Sequence, residues 1–119
     1  MNPRGDAARR RADTLWREYI FRQGWCQVCG VDRGLEPHHL IGRGQKSVRH
    51  DPMNGLLLCV AHHTGDGKPS AHGTPKAFRA WLREHLPNRA AWMEEAKRAG
   101  AGRVDYVAAA ARLEKALDS

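Results

Sequence analysis

Three cysteines and seven histidines in 119 residues are the side chains with the most chemistry to offer, and six of the seven histidines fall between residues 38 and 72. Cys26-Gln27-Val28-Cys29 is a C-x-x-C with Gly30 behind it, and Cys59-Val60-Ala61-His62 repeats the two-residue gap thirty positions on. Two thiolates at that spacing converge on one ion, and a glycine closes the turn. Cys26, Cys29, Cys59 and His62 together make a tetrahedral zinc set with no position left open, so the expected ion is structural rather than catalytic. The competing reading is a redox C-x-x-C. It is disfavoured because such motifs open a helix in a βαβ context, which this sequence lacks.

Zinc uses one histidine and leaves His38, His39, His50, His63 and His72 over, together with Asn54. Neighbouring side chains on a strand point to opposite faces, so His38 and His39 do not both ligate one ion from regular strand geometry. One can bind a metal while the other works opposite it, and imidazole titrates near neutrality, which suits a general base. His63 follows His62 on a helical turn and projects about 100° away from it. The Asn54 amide is suited to holding an imidazole in one tautomer.

In this order, His38-His39, Asn54 and Cys59-x-x-His62-His63 resemble the H…N…H pattern of HNH endonucleases, the ββα-metal nucleases. The resemblance is closest to phage and bacterial members whose core carries a structural zinc. It covers about residues 25–73. It implies a small ββα-metal, treble-clef-like core, and hydrolysis of DNA phosphodiesters with one divalent ion per site. His38 and His63 would ligate that ion, His39 would be the base, and Asn54 would orient the base and steady the loop. The sequence departs from the common pattern after His63, where Thr64-Gly65-Asp66-Gly67-Lys68-Pro69 breaks the helix. His72 is then the one candidate for the further metal-binding histidine that some members carry. Imidazole ligands accept Mg²⁺, Mn²⁺, Ni²⁺ or Zn²⁺, so the ion is not legible. Family analogy alone places such small nucleases beside phage packaging or recombination proteins. The alternative is a non-catalytic, zinc-stabilised nucleic-acid-binding module.

These residues need elements to hold them. Leu15, Trp16, Tyr19 and Ile20 fall at helical spacing from about Ala7 to Phe21, with Gly24 as the stop. After the centre, Thr74-Pro75 predicts a helix start, with Phe78, Trp81, Leu82, His85 and Leu86 as an inward stripe. Pro87 ends it, Asn88 is expected to cap the next helix, and Gly100 closes that one. A last helix over about Asp105 to Leu117 is expected to turn Val107, Ala111 and Leu117 inward. Between them, Leu35–Ile41 and Gly55–Cys59 read as a small hairpin, followed by a helical turn near Val60–Thr64. The chain thus reads as one α+β domain over 1–119. It comprises a basic N-terminal helix (1–24), a zinc-stapled core (25–73) and about three C-terminal helices (74–119).

Composition sets the partner class. Twenty Lys and Arg against thirteen Asp and Glu leave a net charge of +7. Fifteen of the twenty cations are Arg, whose planar fork bonds two phosphate oxygens at once. A polyanion, double-stranded DNA first, is the expected partner. Arg43, Lys46 and Arg49, between His39 and Asn54, are the candidate phosphate clamps, each equally readable as a solvated surface residue. No apolar run approaches the roughly 18 residues of a membrane span, and the arginine-rich start lacks a signal peptide's apolar stretch, which gives a cytoplasmic expectation.

Overall fold

The computed structural model describes all 119 residues as five helices and one two-stranded antiparallel sheet, an α+β fold. The elements are α1 (Asp6–Phe21), β1 (Leu35–His38), β2 (Leu56–Cys59), α2 (Val60–His63), α3 (Pro75–His85), α4 (Pro87–Ala99) and α5 (Tyr106–Leu117). A single 3-10 turn, Lys46–Val48, interrupts the loop between the strands. No helix is long and apolar enough to cross a membrane.

Strand β2 organises the molecule. Its four residues, Leu56 to Cys59, are all buried, and alternation sends Leu57 into one core and Leu56 and Leu58 into another, which Cys59 joins at the strand's end. Leu57 joins Ala8, Ala12, Leu15, Trp16 and Ile20 of α1 and Tyr106, Ala110 and Leu113 of α5. Leu56, Leu58 and Cys59 join Cys26, Ile41, Phe78 and Leu82 of α3, and Met93 of α4. The sheet is the layer between α1/α5 and α3/α4. Only a glycine fits at position 55, since a Cβ there would lie 2.5 Å from Ile20 Cδ1 and 2.8 Å from Trp16 Cζ2. Along the outer edge of β2, Leu57 N–H donates to Gln23 Oε1 (2.8 Å) and Leu57 O accepts from the Gln27 backbone, while Gln23 and Arg89 both donate to Gly55 O.

The elements fall where hydrophobic spacing puts them, but several details differ. The first strand stops at His38 rather than Ile41, because Asn54 takes over the backbone groups of Ile41. Helix α4 begins at Pro87 with Leu86 as its cap residue, so Asn88 lies inside the helix and caps nothing. Thr74 stands at the N-cap position of α3 as expected, but its side chain does not bond the helix: the hydroxyl accepts from Ser70 N–H and donates to Ser70 O. In α5 the buried residues are Tyr106, Ala110 and Leu113, whereas Val107 is exposed and Leu117 is only partly covered. Asp105 caps this helix by accepting from Ala108 N–H, and that sets the phase the alanine-rich sequence leaves open.

Candidate metal centres and cleft

The Cys26–Cys29 turn is held by Cys26 N–H to Val31 O and Gly30 N–H to Cys26 O, both 2.8 Å, with Gly30 at φ +81°. Gln27 N–H donates to Leu57 O (2.9 Å), which pins this turn against β2. As a result the sulfurs of Cys26, Cys29 and Cys59 all lie within 4.8 Å of one another, and none is in a disulfide. Three thiols so placed can hold a soft metal ion such as zinc. Burial works against ionising Cys26, but backbone N–H groups of Cys59, Cys29 and Val28 outweigh it and lower its pKa. The Val31 backbone group favours the Cys29 thiolate, yet burial and the neighbouring Cys26 and Cys59 sulfurs raise its pKa overall. The surroundings thus favour a thiolate at Cys26 and oppose a second at Cys29, an opposition that a bound cation relieves.

The expected fourth ligand, His62, is not in this group. Its Nδ1 donates to Pro69 O at 2.6 Å, which ties the ring to the 64–69 loop and leaves the lone pair on Nε2. Gly67 packs so closely here that a Cβ would lie 2.8 Å from His62 Nδ1 and from Ala61 O.

A second group forms from His38, His63 and His72, whose ligand nitrogens also lie within 4.8 Å of one another. Their ring centroids are 5.0, 5.1 and 4.9 Å apart, a nearly equilateral triangle. The insert after His63 brings His72 in rather than keeping it out. The chain folds back, and Ala71 and His72 N–H donate to His62 and His63 O, each at 2.9 Å. Buried Ser70 reinforces the return by donating to His63 O and accepting from Gly73 N–H. Burial first, then the proximity of His63, His72 and His39, pulls the pKa of His38 down to about 3. At neutral pH His38 is therefore unprotonated, the form in which imidazole ligates.

His63 Nδ1 donates to Glu36 Oε1 at 2.8 Å, so its lone pair lies on Nε2. Glu36 was missed in reading the sequence, although strand alternation puts residues 36 and 38 on one face. A carboxylate behind a ligand imidazole fixes its tautomer and orientation.

The next residue, His39, points the other way. Its ring stacks on Trp16 of α1, centroids 3.8 Å apart and 9° from parallel. Its Nε2 donates to Arg49 O at 3.0 Å, which leaves the lone pair on Nδ1. Burial, partly opposed by that backbone bond and assisted by Arg49 and Arg43, lowers its pKa to about 4. His38, His39, His63 and His72 line one cleft of about 420 Å³ together with Trp16, Arg17, Arg43 and Arg49.

Asn54, fully buried, holds no imidazole. It accepts from Ile41 N–H (2.7 Å) and donates to Ile41 O and Val48 O (both 3.0 Å), stitching together both ends of the loop behind His39. The three expected phosphate clamps separate. Arg43 is exposed on the histidine cleft. Lys46 lies on another depression, with Arg103 and Arg112. Arg49 is not free, because its guanidinium grips Asp13 of α1 through two 3.0 Å bonds. His50, whose place in the connecting loop suggests a surface or phosphate contact, is instead buried against Asp13 and Tyr106. Asp13 was also missed, since a lone acid on a basic helix has no spacing that marks it.

No known protein family, curated protein or solved structure matches this chain.

Proposed function

We propose that this protein is a metal-dependent endonuclease of the HNH, ββα-metal type, hydrolysing DNA phosphodiesters and stapled by a zinc ion on its cysteines. One observation carries the reading. Three imidazoles bring their ligand nitrogens within 4.8 Å of one another, while a fourth, adjacent in sequence, lines the same cleft with Nε2 bonded to Arg49 O and Nδ1 free. The element order β1, β2, α2 supports it, with His38 ending β1, His39 next to it, Asn54 just before β2 and His63 ending α2. Imidazole donors suit a borderline divalent ion, and the Glu36 carboxylate behind His63 is the usual support for one.

A divalent ion held by His38, His63 and His72 would supply Lewis-acid stabilisation of the negative charge that develops on the phosphate and the leaving oxygen. His39 takes the proton of the attacking water at Nδ1, and Arg49 O holds Nε2–H while it does so. Stacking on Trp16 keeps the ring from turning. Asn54 stiffens the loop that carries Arg43 and Arg49, and Glu36 aims His63. Arg43 and Arg17, both exposed on the cleft, meet the flanking phosphates.

The direct test is incubation with supercoiled plasmid across Mg²⁺, Mn²⁺, Ni²⁺, Co²⁺ and Zn²⁺, with and without chelator. Relaxed or linear product that appears only with metal is expected. Absence of product with every ion would replace this reading with that of a zinc-stapled nucleic-acid-binding module.

Binding gives a separate expectation. Each Arg–phosphate contact should contribute roughly 0.9 log units to the fall in duplex affinity per log unit of salt. Arg43→Ala should reduce the slope by about one contact. Affinity indifferent to salt between low and physiological ionic strength would argue for a protein partner instead.

A further inference from the structure

Helix α1 lies outside the segment that resembles a nuclease core, yet it touches the His39 ring directly and reaches its hydrogen-bond acceptor through a second residue. Trp16 stacks on the ring face. One turn earlier, the Asp13 carboxylate accepts from Arg49 Nε at Oδ1 and from Arg49 Nη2 at Oδ2, both at 3.0 Å. Its Oδ1 also lies 2.5 Å from Nε2 of His50. The Arg49 and His50 side chains are 18% and 2% exposed and Asp13, on the edge of the cleft, 32%, so these bonds are partly shielded from water. Two consecutive residues, Arg49 and His50, are thus fastened to one carboxylate. The carbonyl of the first of them is the acceptor for His39 Nε2.

We propose that Asp13 is a positioning residue for His39. By clamping Arg49 and His50 it sets the Arg49 carbonyl where it selects the Nε2–H tautomer and leaves Nδ1 free to accept a proton. The inference rests on the nuclease reading for what His39 does, but not for how its ring is held. A bidentate charged pair suits this work, because it fixes direction as well as distance. Arg49, read from sequence as a contact to substrate, becomes a part of the support, and a helix from outside the motif takes a share in the chemistry.

The test compares the full-length wild type, Asp13→Asn, Asp13→Glu and Ile20→Val. Histidine ring ¹⁵N NMR at pH 8 reads the His39 tautomer, and single-turnover plasmid cleavage reads the rate. Asp13→Asn keeps the shape but loses the charge. It should mix the His39 tautomers and lower the cleavage rate constant about 10–100-fold, the range that partners orienting an imidazole carry. The DNA concentration for half-maximal rate should stay within about threefold. Asp13→Glu should recover most of the loss. Ile20→Val loosens the core face of the same helix away from Asp13, and should keep both the tautomer and the rate. If Asp13→Asn does not fold, Arg49→Gln opens the same clamp from the other end while retaining the Arg49 carbonyl, with the same outcome expected.

A folded Asp13→Asn protein with the wild-type tautomer and rate overturns the proposal. If wild type cleaves nothing, the nuclease reading fails and the tautomer alone decides. A shift in Asp13→Asn then supports the positioning role, and an unchanged pattern overturns it.

Discussion

Cys26→Ser should abolish zinc retention and most of the cooperative thermal transition. Cys26 is 1% exposed and Cys59 8%, and the Cys26–Cys29 turn is bonded to Leu57 O of the central strand, so two of the three cysteines belong to the core while Cys29 lies at its surface. The segment from Trp25 to Gly73 holds eight of the twelve glycines and few large apolar side chains away from the strands. Burial alone does not hold such a segment together. Apparent zinc binding in small thiolate modules is worth about 10–16 kcal/mol, comparable with the whole stability of a domain, about 5–15 kcal/mol. Losing one of three thiolates should therefore lower Tm by more than about 10 °C or remove the transition. Metal analysis by atomic emission and calorimetry of both proteins measure this. Wild type that is folded, cooperative and free of zinc would refute the staple.

His39→Ala should lower cleavage by about 10²–10⁴, the contribution of one positioned general base. Zinc content, divalent-ion binding and DNA affinity should hold within a few-fold, because the ring touches Trp16 and Arg49 O rather than the His38–His63–His72 group. His38→Ala should lose cleavage together with divalent-ion affinity, since there a ligand goes. The pH profile separates the two further. With its pKa pulled down to about 4, His39 is neutral and able to accept a proton throughout the neutral range. The acid limb of kcat/KM should therefore fall near pH 4, well below the 6.5 or so of free imidazole. His39→Ala should lack that limb. A His39→Ala protein that cleaves at the wild-type rate would remove His39 from the chemistry.

How much of this was legible follows from what kind of information each feature needs. The helices over 6–21, 75–85, 87–99 and 106–117 are written in hydrophobic spacing and in Pro and Gly punctuation, all local signals. Four thiol and imidazole positions at x-x spacing announced a metal site, and the three sulfurs do converge. The divergence of His38 from His39 was expected from strand alternation, but β1 ends at His38, and it is stacking on Trp16 that sets the His39 ring just beyond it.

What sequence left open depends on groups far along the chain. His62 fits zinc spacing, but its ring is held by the Pro69 carbonyl, contributed by a loop whose path no spacing rule specifies. His72 joins His38 and His63 because backbone bonds to His62 and His63 turn the 64–73 segment back on α2. Arg49 and His50 read as phosphate or surface contacts until α1, thirty-six and thirty-seven residues away, placed Asp13 against them. Asn54 binds backbone instead of imidazole because the loop's own N–H and C=O groups are buried beside it and require partners. The sequence by itself determined which atoms are available as donors, acceptors and ligands, and which short stretches bend or extend. Only the packing of α1 and α3 on opposite faces of β2 decided which of those atoms meet, since hydrogen bonds and ligation act over about 3 Å, a distance that chain order does not encode.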